Sequence, residues 1–146
     1  MKVLLLEDDI ALNDLLSEHL QDKGYKVTVC SNGQEALEYL IDDRFDFALL
    51  DINTPYISGI EVLKTIRNDY KNNTPIIILT AYQDTKHLKE SFESGVDDYI
   101  KKPFDLEELD QRILRLCRQF SIEQNQKIKL ADNIYFEPNS CRLEKD

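Results

Sequence analysis

Five short apolar runs alternate with segments whose apolar residues recur at helical spacing, and this alternation limits the possible folds more than any other feature of the chain. The runs fall at about residues 2–6, 26–30, 46–50, 75–79 and 98–101. Between them, Leu12, Leu15, Leu16 and Leu20 mark a first helix closed by Gly24, and Ala36, Leu37, Leu40 and Ile41 a second. Ile60, Leu63 and Ile66 mark a third after Gly59, Leu88 and Phe92 a thinner fourth before Gly95, and Leu106, Leu109, Ile113 and Leu116 a fifth. Short runs rich in Val, Ile and Leu, joined by helices, predict an α/β fold: a five-stranded parallel sheet with helices on both faces. Right-handed crossovers would bring all carboxyl ends of the strands to one edge, where ligands of such sheets bind.

What stands at those ends is chemically selective. Glu7-Asp8-Asp9 follows the first run, Asp51 the third, Thr80-Ala81 the fourth and Lys102-Pro103 the fifth. Carboxylates gathered with a hydroxyl and a fixed cation suit a divalent metal and a phosphoryl group. Glu7, Asp8 and Asp51 carry three negative charges, which Lys102 and one Mg²⁺ would balance. Mg²⁺ is a hard ion that takes one or two carboxylates and keeps several waters. Uncompensated, three neighbouring carboxylates would raise one another's pKa. Asp9 reads instead as an acid at a helix N-terminus, favoured by the helix dipole.

The chain has 146 residues, enough for one domain and a fragment of another, and 42% hydrophobic residues, enough for a core. A net charge of −10 gives it no general attraction for nucleic acid or an anionic membrane. Apolar runs of four or five residues are far too short to span a bilayer, and with strand-like residues starting at Lys2 no signal sequence is expected. The expected location is the cytoplasm. Cys30, Cys117 and Cys141 form no Cys-x-x-Cys pair and read as reduced, packed thiols; His19 and His87 read as helix-surface residues.

After about Gln119 the pattern changes. Residues 120–126 are polar and read as a linker. Ile128, Leu130, Ile134, Tyr135 and Phe136, a Glu137-Pro138-Asn139-Ser140 turn and then Cys141-Arg142-Leu143 read as short strands joined by tight turns. About twenty residues cannot bury a core of their own, so residues 127–146 are expected to be the start of a second domain.

Residues 1–119 resemble the response-regulator receiver domain of two-component systems. The resemblance rests on Glu7-Asp8, Asp51, Thr80-Ala81, Lys102-Pro103-Phe104 and the segment Gly95-Val96-Asp97-Asp98-Tyr99. It implies a flavodoxin-like (βα)5 fold with strand order 2-1-3-4-5; that order comes from the resemblance and not from the residues. It implies phosphorylation of Asp51, a carboxylate nucleophile, by a sensor histidine kinase. It implies Mg²⁺ or Mn²⁺ on Asp8, Asp51 and the Asn53 carbonyl, with Glu7 acting mainly through water. Lys102 would contact the phosphoryl group, aimed by a cis peptide to Pro103. Thr80 would be the switch hydroxyl, small Ala81 would leave the site accessible, and Tyr99 would swing inward as Thr80 moves. The protein would be no enzyme beyond catalysing its own phosphorylation and a slow dephosphorylation.

Residues 127–146 resemble the first strands of the winged-helix effector of OmpR/PhoB-type regulators. Such regulators dimerise on phosphorylation and bind DNA through the effector. The matching dimer face would carry Leu88, Asp97, Asp98, Glu108 and Arg112. Leu88 stands where a basic residue usually pairs with the Glu108 equivalent, and Gln119 replaces an arginine expected opposite the Asp97 equivalent; the Asp98–Arg112 pair is retained. Two other classes fit less well. A haloacid-dehalogenase-type phosphatase carries its nucleophile in an Asp-x-Asp motif after the first strand, whereas Asp51 follows the third and precedes Asn53 by two. A receiver-like interaction module that is never phosphorylated would need no complete set of Glu7, Asp8, Asp51, Thr80 and Lys102.

Overall fold

The structure, a computed structural model, describes residues 1–54, 56–81 and 85–131, with side chains for all of them except His87 and residues 121–131. Its elements alternate as the sequence implies: β1 (Lys2–Leu6), α1 (Ile10–Asp22), β2 (Lys26–Cys30), α2 (Gly33–Asp42), β3 (Phe47–Asp51), α3 (Gly59–Asn68), β4 (Ile76–Ala81), α4 (Thr85–Glu93), β5 (Asp98–Lys102) and α5 (Leu106–Ala131). All four strand pairings are parallel, and the sheet order is β2-β1-β3-β4-β5. The described residues divide into two compact units, the first ending at Phe104 and the second beginning at Asp105.

Within the first unit each central strand buries both faces. Leu4, Leu6, Ala48, Leu50, Ile76 and Ile78 join Ala36 and Leu40 of α2 and Ile60, Leu63 and Ile66 of α3 in one apolar cluster. The intervening residues Val3, Leu5, Phe47, Leu49, Ile77 and Leu79 are equally buried and point to the opposite face, where α1 lies with Leu16 and Leu20 buried. Burial on both sides is why these strands read as continuous apolar runs rather than as alternating ones. The inward stripe of α1 is Asn13, Leu16 and Leu20, while Leu15 is 49% exposed. Four leucines therefore announced the helix correctly, but one of them faces solvent.

Local chemistry sets the helix ends. Asp9 caps α1, its carboxylate accepting from Leu12 N at 3.2 Å; Asn32 caps α2 by accepting from Glu35 N at 2.9 Å. Ser58 and Glu61 form a reciprocal capping box on α3. Gly24 and Gly95 follow α1 and α4 with φ of 95° and 94°, a left-handed geometry that a side chain resists.

In the second unit Asp105 caps α5, accepting from Glu108 N at 2.8 Å. Leu109, Ile113, Leu116 and Cys117 form its buried stripe. The helix runs on to Ala131, so residues 120–126 are helical and not the expected linker, and Ile128 and Leu130 are helical and not strand. The reason is compositional. Residues 121–131 contain Glu, Gln, Lys, Leu and Ala and neither Gly nor Pro, so nothing terminates the helix. The strands and turn expected within residues 134–143 lie outside the described residues.

Candidate functional site

Strand register builds the site. Leu6 pairs with Leu50, Asp51 with Leu79, Thr80 with Lys101 and Ala81 with Lys102. The residues that end β1, β3, β4 and β5 therefore lie along one edge of the sheet. Single oxygens of Glu7, Asp8 and Asp51 all fall within 4.8 Å of one another. Lys102 crosses from β5 to place its Nζ 3.0 Å from Glu7 Oε1 and 3.4 Å from Asp51 Oδ2.

Burial makes this cluster electrostatically costly. Glu7 is 1% and Asp51 6% exposed, whereas Asp8 is open to solvent. Burial first, then the negative charge of Glu7, pushes the Asp51 carboxyl up to about 7; Lys102 and the Asn53 N–H pull it partly back. Burial also works against the Lys102 ammonium, but its bond to Glu7 and the charge of Asp51 outweigh this and hold its pKa above the ordinary lysine value. Three hard oxygen donors facing one ammonium leave negative charge uncompensated. That donor set fits a hard divalent cation such as Mg²⁺, with Asp8 supplying the solvent-facing side.

The backbone around the acids is closely held. Glu7 Oε2 accepts from Asp9 N at 3.1 Å, and Asp51 Oδ1 accepts a long bond from Asn53 N at 3.4 Å. Thr54 Oγ1 donates to the Ile57 carbonyl at 3.1 Å, closing the β3–α3 loop. Gly59 has no room for a side chain, since a Cβ there would lie 2.2 Å from the Asp51 carbonyl. Thr80 is fully buried, with Oγ1 3.4 Å from the Ala81 carbonyl, and Ala81 is exposed. Tyr99 is half-buried, its ring edge-to-face with Phe92 at 5.4 Å. The Lys102–Pro103 peptide is cis.

The residues of the expected dimer face have distinct surroundings. Asp97 accepts from Ile76 N at 2.8 Å and pairs with Arg67 at 3.1 Å, so it links β4 and α3 within the chain. Asp98 is buried, accepting from Tyr99 N at 2.8 Å, and Leu88 is half-buried. On α5, Arg112 lies 3.5 Å from Glu108, one helical turn earlier.

Sequence reasoning missed two supports. Asn13 donates from its side chain to the Glu7 carbonyl at 2.8 Å. The signal was its place on the stripe of Leu16 and Leu20, a polar residue where the core wants an apolar one. Arg67 binds the carbonyls of Gly95 at 3.1 Å and Asn72 at 2.8 Å besides Asp97, and nothing in its spacing announced this. Cys30 and Cys117 are buried and in no disulfide, the Cys30 thiol pushed up to about 12 by burial.

Comparison with known proteins agrees with this geometry. The response regulator receiver domain family matches residues 3–114. The transcriptional regulatory protein CrdR of Helicobacter pylori is 42% identical over 138 residues, covering 94% of this chain and 62% of CrdR. The receiver domain of the Francisella response regulator 1452 superposes with a TM-score of 0.73 at 36% identity, covering 79% of this chain and 94% of that one. The receiver domain of the Pseudomonas aeruginosa sensor histidine kinase PA1611, solved with magnesium in its active-site cleft, gives a TM-score of 0.70 at 32% identity over 78% of this chain and 93% of that one. The chain belongs to the response regulator receiver domain family. It spans less than two thirds of the length of curated relatives such as CrdR. Among the described residues no helix is long and apolar enough to cross a membrane.

Proposed function

We propose that the chain is the receiver of a transcription-regulating two-component system, working in the cytoplasm, with Asp51 as its phosphoacceptor. The observation that carries the reading is the buried Asp51 carboxylate, grouped with those of Glu7 and Asp8 and 3.4 Å from the Lys102 ammonium. An Asp51 oxygen attacks the phosphorus of a phosphohistidine on a sensor kinase. The P–N bond breaks, the imidazole leaves and takes up a proton, and an acyl phosphate remains. Asp8, Asp51 and the Asn53 carbonyl, with Glu7 behind them, would hold Mg²⁺ (or Mn²⁺), which would supply positive charge to the carboxylates and the incoming phosphoryl oxygens.

The chain's own residues do the rest. Lys102, which spans Glu7 and Asp51, meets a phosphoryl oxygen as a point charge in this reading. Thr80, buried at the end of β4, donates its hydroxyl to the new group, and exposed Ala81 leaves the approach open. The shift of Thr80 frees space for Tyr99 and alters the face bearing Leu88, Asp97, Asp98, Glu108 and Arg112, through which two chains pair. Residues 1–119 make the receiver, and the chain that follows the end of α5 at Ala131 begins a winged-helix effector that contacts DNA in the longer protein. A charge-assisted switch of this kind shifts an equilibrium by no more than it stabilises one state over the other.

Incubation with acetyl phosphate and Mg²⁺ tests the reading. One phosphoryl mass is gained by the parent chain, none in chelator and none by Asp51→Asn. Full labelling of Asp51→Asn would refute the assignment, and continuous phosphate release from small phosphate esters would favour a phosphatase.

A further inference from the structure

Asn13 is a polar side chain on the buried stripe of α1, and its two hydrogen bonds bracket one residue. Its backbone N donates to the Asp9 carbonyl at 2.8 Å, the first turn of the helix. Its side-chain amide reaches back to the Glu7 carbonyl, also at 2.8 Å. The carbonyls of the two residues that flank Asp8, Glu7 and Asp9, are thus both tied to Asn13. Glu7 is otherwise held by its own N–H to the Cys30 carbonyl at 3.2 Å, and its carboxylate by Lys102 and Asp9 N. The β1 ladder ends at Leu6, so the Glu7 carbonyl sits just beyond it in a buried place, where a carbonyl needs a donor. Asp8 itself faces solvent, where packing does little to fix its direction.

We propose that Asn13 is a positioning residue for the acidic cluster: by clamping the β1–α1 turn at Glu7 and Asp9 it aims the Asp8 carboxylate at Asp51 and so sets the affinity for a divalent cation. This deepens the metal-assisted reading above and rests on it. Residues that orient ligands without touching the ion commonly carry about 10-fold to 100-fold of its affinity. A purely structural Asn13 would carry stability alone.

The test is Mg²⁺ titration of the whole chain by calorimetry, with unfolding in chelator measured alongside. Asn13→Leu keeps the volume and removes the donor, and its dissociation constant for Mg²⁺ rises about 10-fold or more. Asn13→Gln keeps an amide and recovers part of that loss. Labelling of Asn13→Leu by acetyl phosphate falls at low Mg²⁺ and approaches the parent rate at saturation. If Asn13→Leu does not fold, Asn13→Ser serves, and the same rise is expected. A dissociation constant within twofold of the parent in a folded variant, whatever its stability, overturns the proposal. A parent chain that binds no Mg²⁺ overturns the reading of the site itself, and this inference with it.

Discussion

Replacing Asp51 by Asn should make the metal-free protein more stable, and only at neutral and higher pH. In the folded chain the Asp51 carboxyl is raised from 3.8 to about 7, first by burial and then by Glu7. A raised acid favours the protonated, neutral form. Its contribution to stability is therefore fully present below pH 4, declines as pH rises from about 4 to about 7, and is gone above that. Folding takes up a proton in that window, so stability falls by up to about 1.4 kcal/mol per pH unit. Three units would give about 4 kcal/mol as an upper bound. Asparagine also loses the attraction to Lys102, which lies 3.4 Å away. An advantage of about 1–3 kcal/mol for Asp51→Asn at pH 8 is the working expectation.

Urea unfolding of both proteins in chelator, from pH 4 to pH 8.5, measures this directly. Ionisable groups away from the site cancel in the difference, which leaves Asp51 with the Glu7 and Lys102 that titrate together with it. The two midpoints should coincide near pH 4, separate between pH 4 and 7, and stay apart above. Saturating Mg²⁺ should stabilise the parent by about 3 kcal/mol at a hundredfold excess over its dissociation constant and close the gap, with a much smaller effect on Asp51→Asn. A gap independent of pH, or a parent more stable than the variant at pH 8 in chelator, would refute the argument that burial and Glu7 leave Asp51 a costly charge.

Three further outcomes follow from other contacts. Lys102→Met should drive the Asp51 carboxyl further above about 7, since the ammonium is the largest of the influences that lower it; carboxyl-carbon NMR in chelator reads the change. Gly33→Ala should destabilise the fold by about 1–3 kcal/mol, because a Cβ there would lie 1.7 Å from the Ile57 carbonyl and backbone must move; thermal unfolding checks it. Arg67→Ala should cost about 2 kcal/mol through its bonds to the Gly95 and Asn72 carbonyls, and little through the ion pair, because the Asp97 side chain is 40% exposed. A parent-like urea midpoint for Arg67→Lys, or a cost of Arg67→Ala that vanishes at high salt, would point the other way.

The sheet was legible because its strands are buried on both faces. Every residue from Val3 to Leu6 and from Phe47 to Leu50 had to be apolar, and the acids that follow stand out against such runs. Residue type alone thus marked Glu7, Asp8, Asp51 and Lys102, and a parallel sheet can only gather its carboxyl ends on one edge. The order β2-β1-β3-β4-β5 was not in the residues; it needed a fold already known. The end of α5 was misread because polarity was taken for a linker, although a polar segment without Gly or Pro can remain helical. Arg67 escaped because its partners are backbone carbonyls, and any residue offers one. Asn13 was the intermediate case. Its stripe gave it away, but its meaning depends on the Glu7 carbonyl that β1 leaves just beyond its ladder, and only the fold places that atom within 2.8 Å. A site's charged residues can be read from a sequence by type, whereas those that hold its backbone become readable once the ends of the hydrogen-bonded ladders are known.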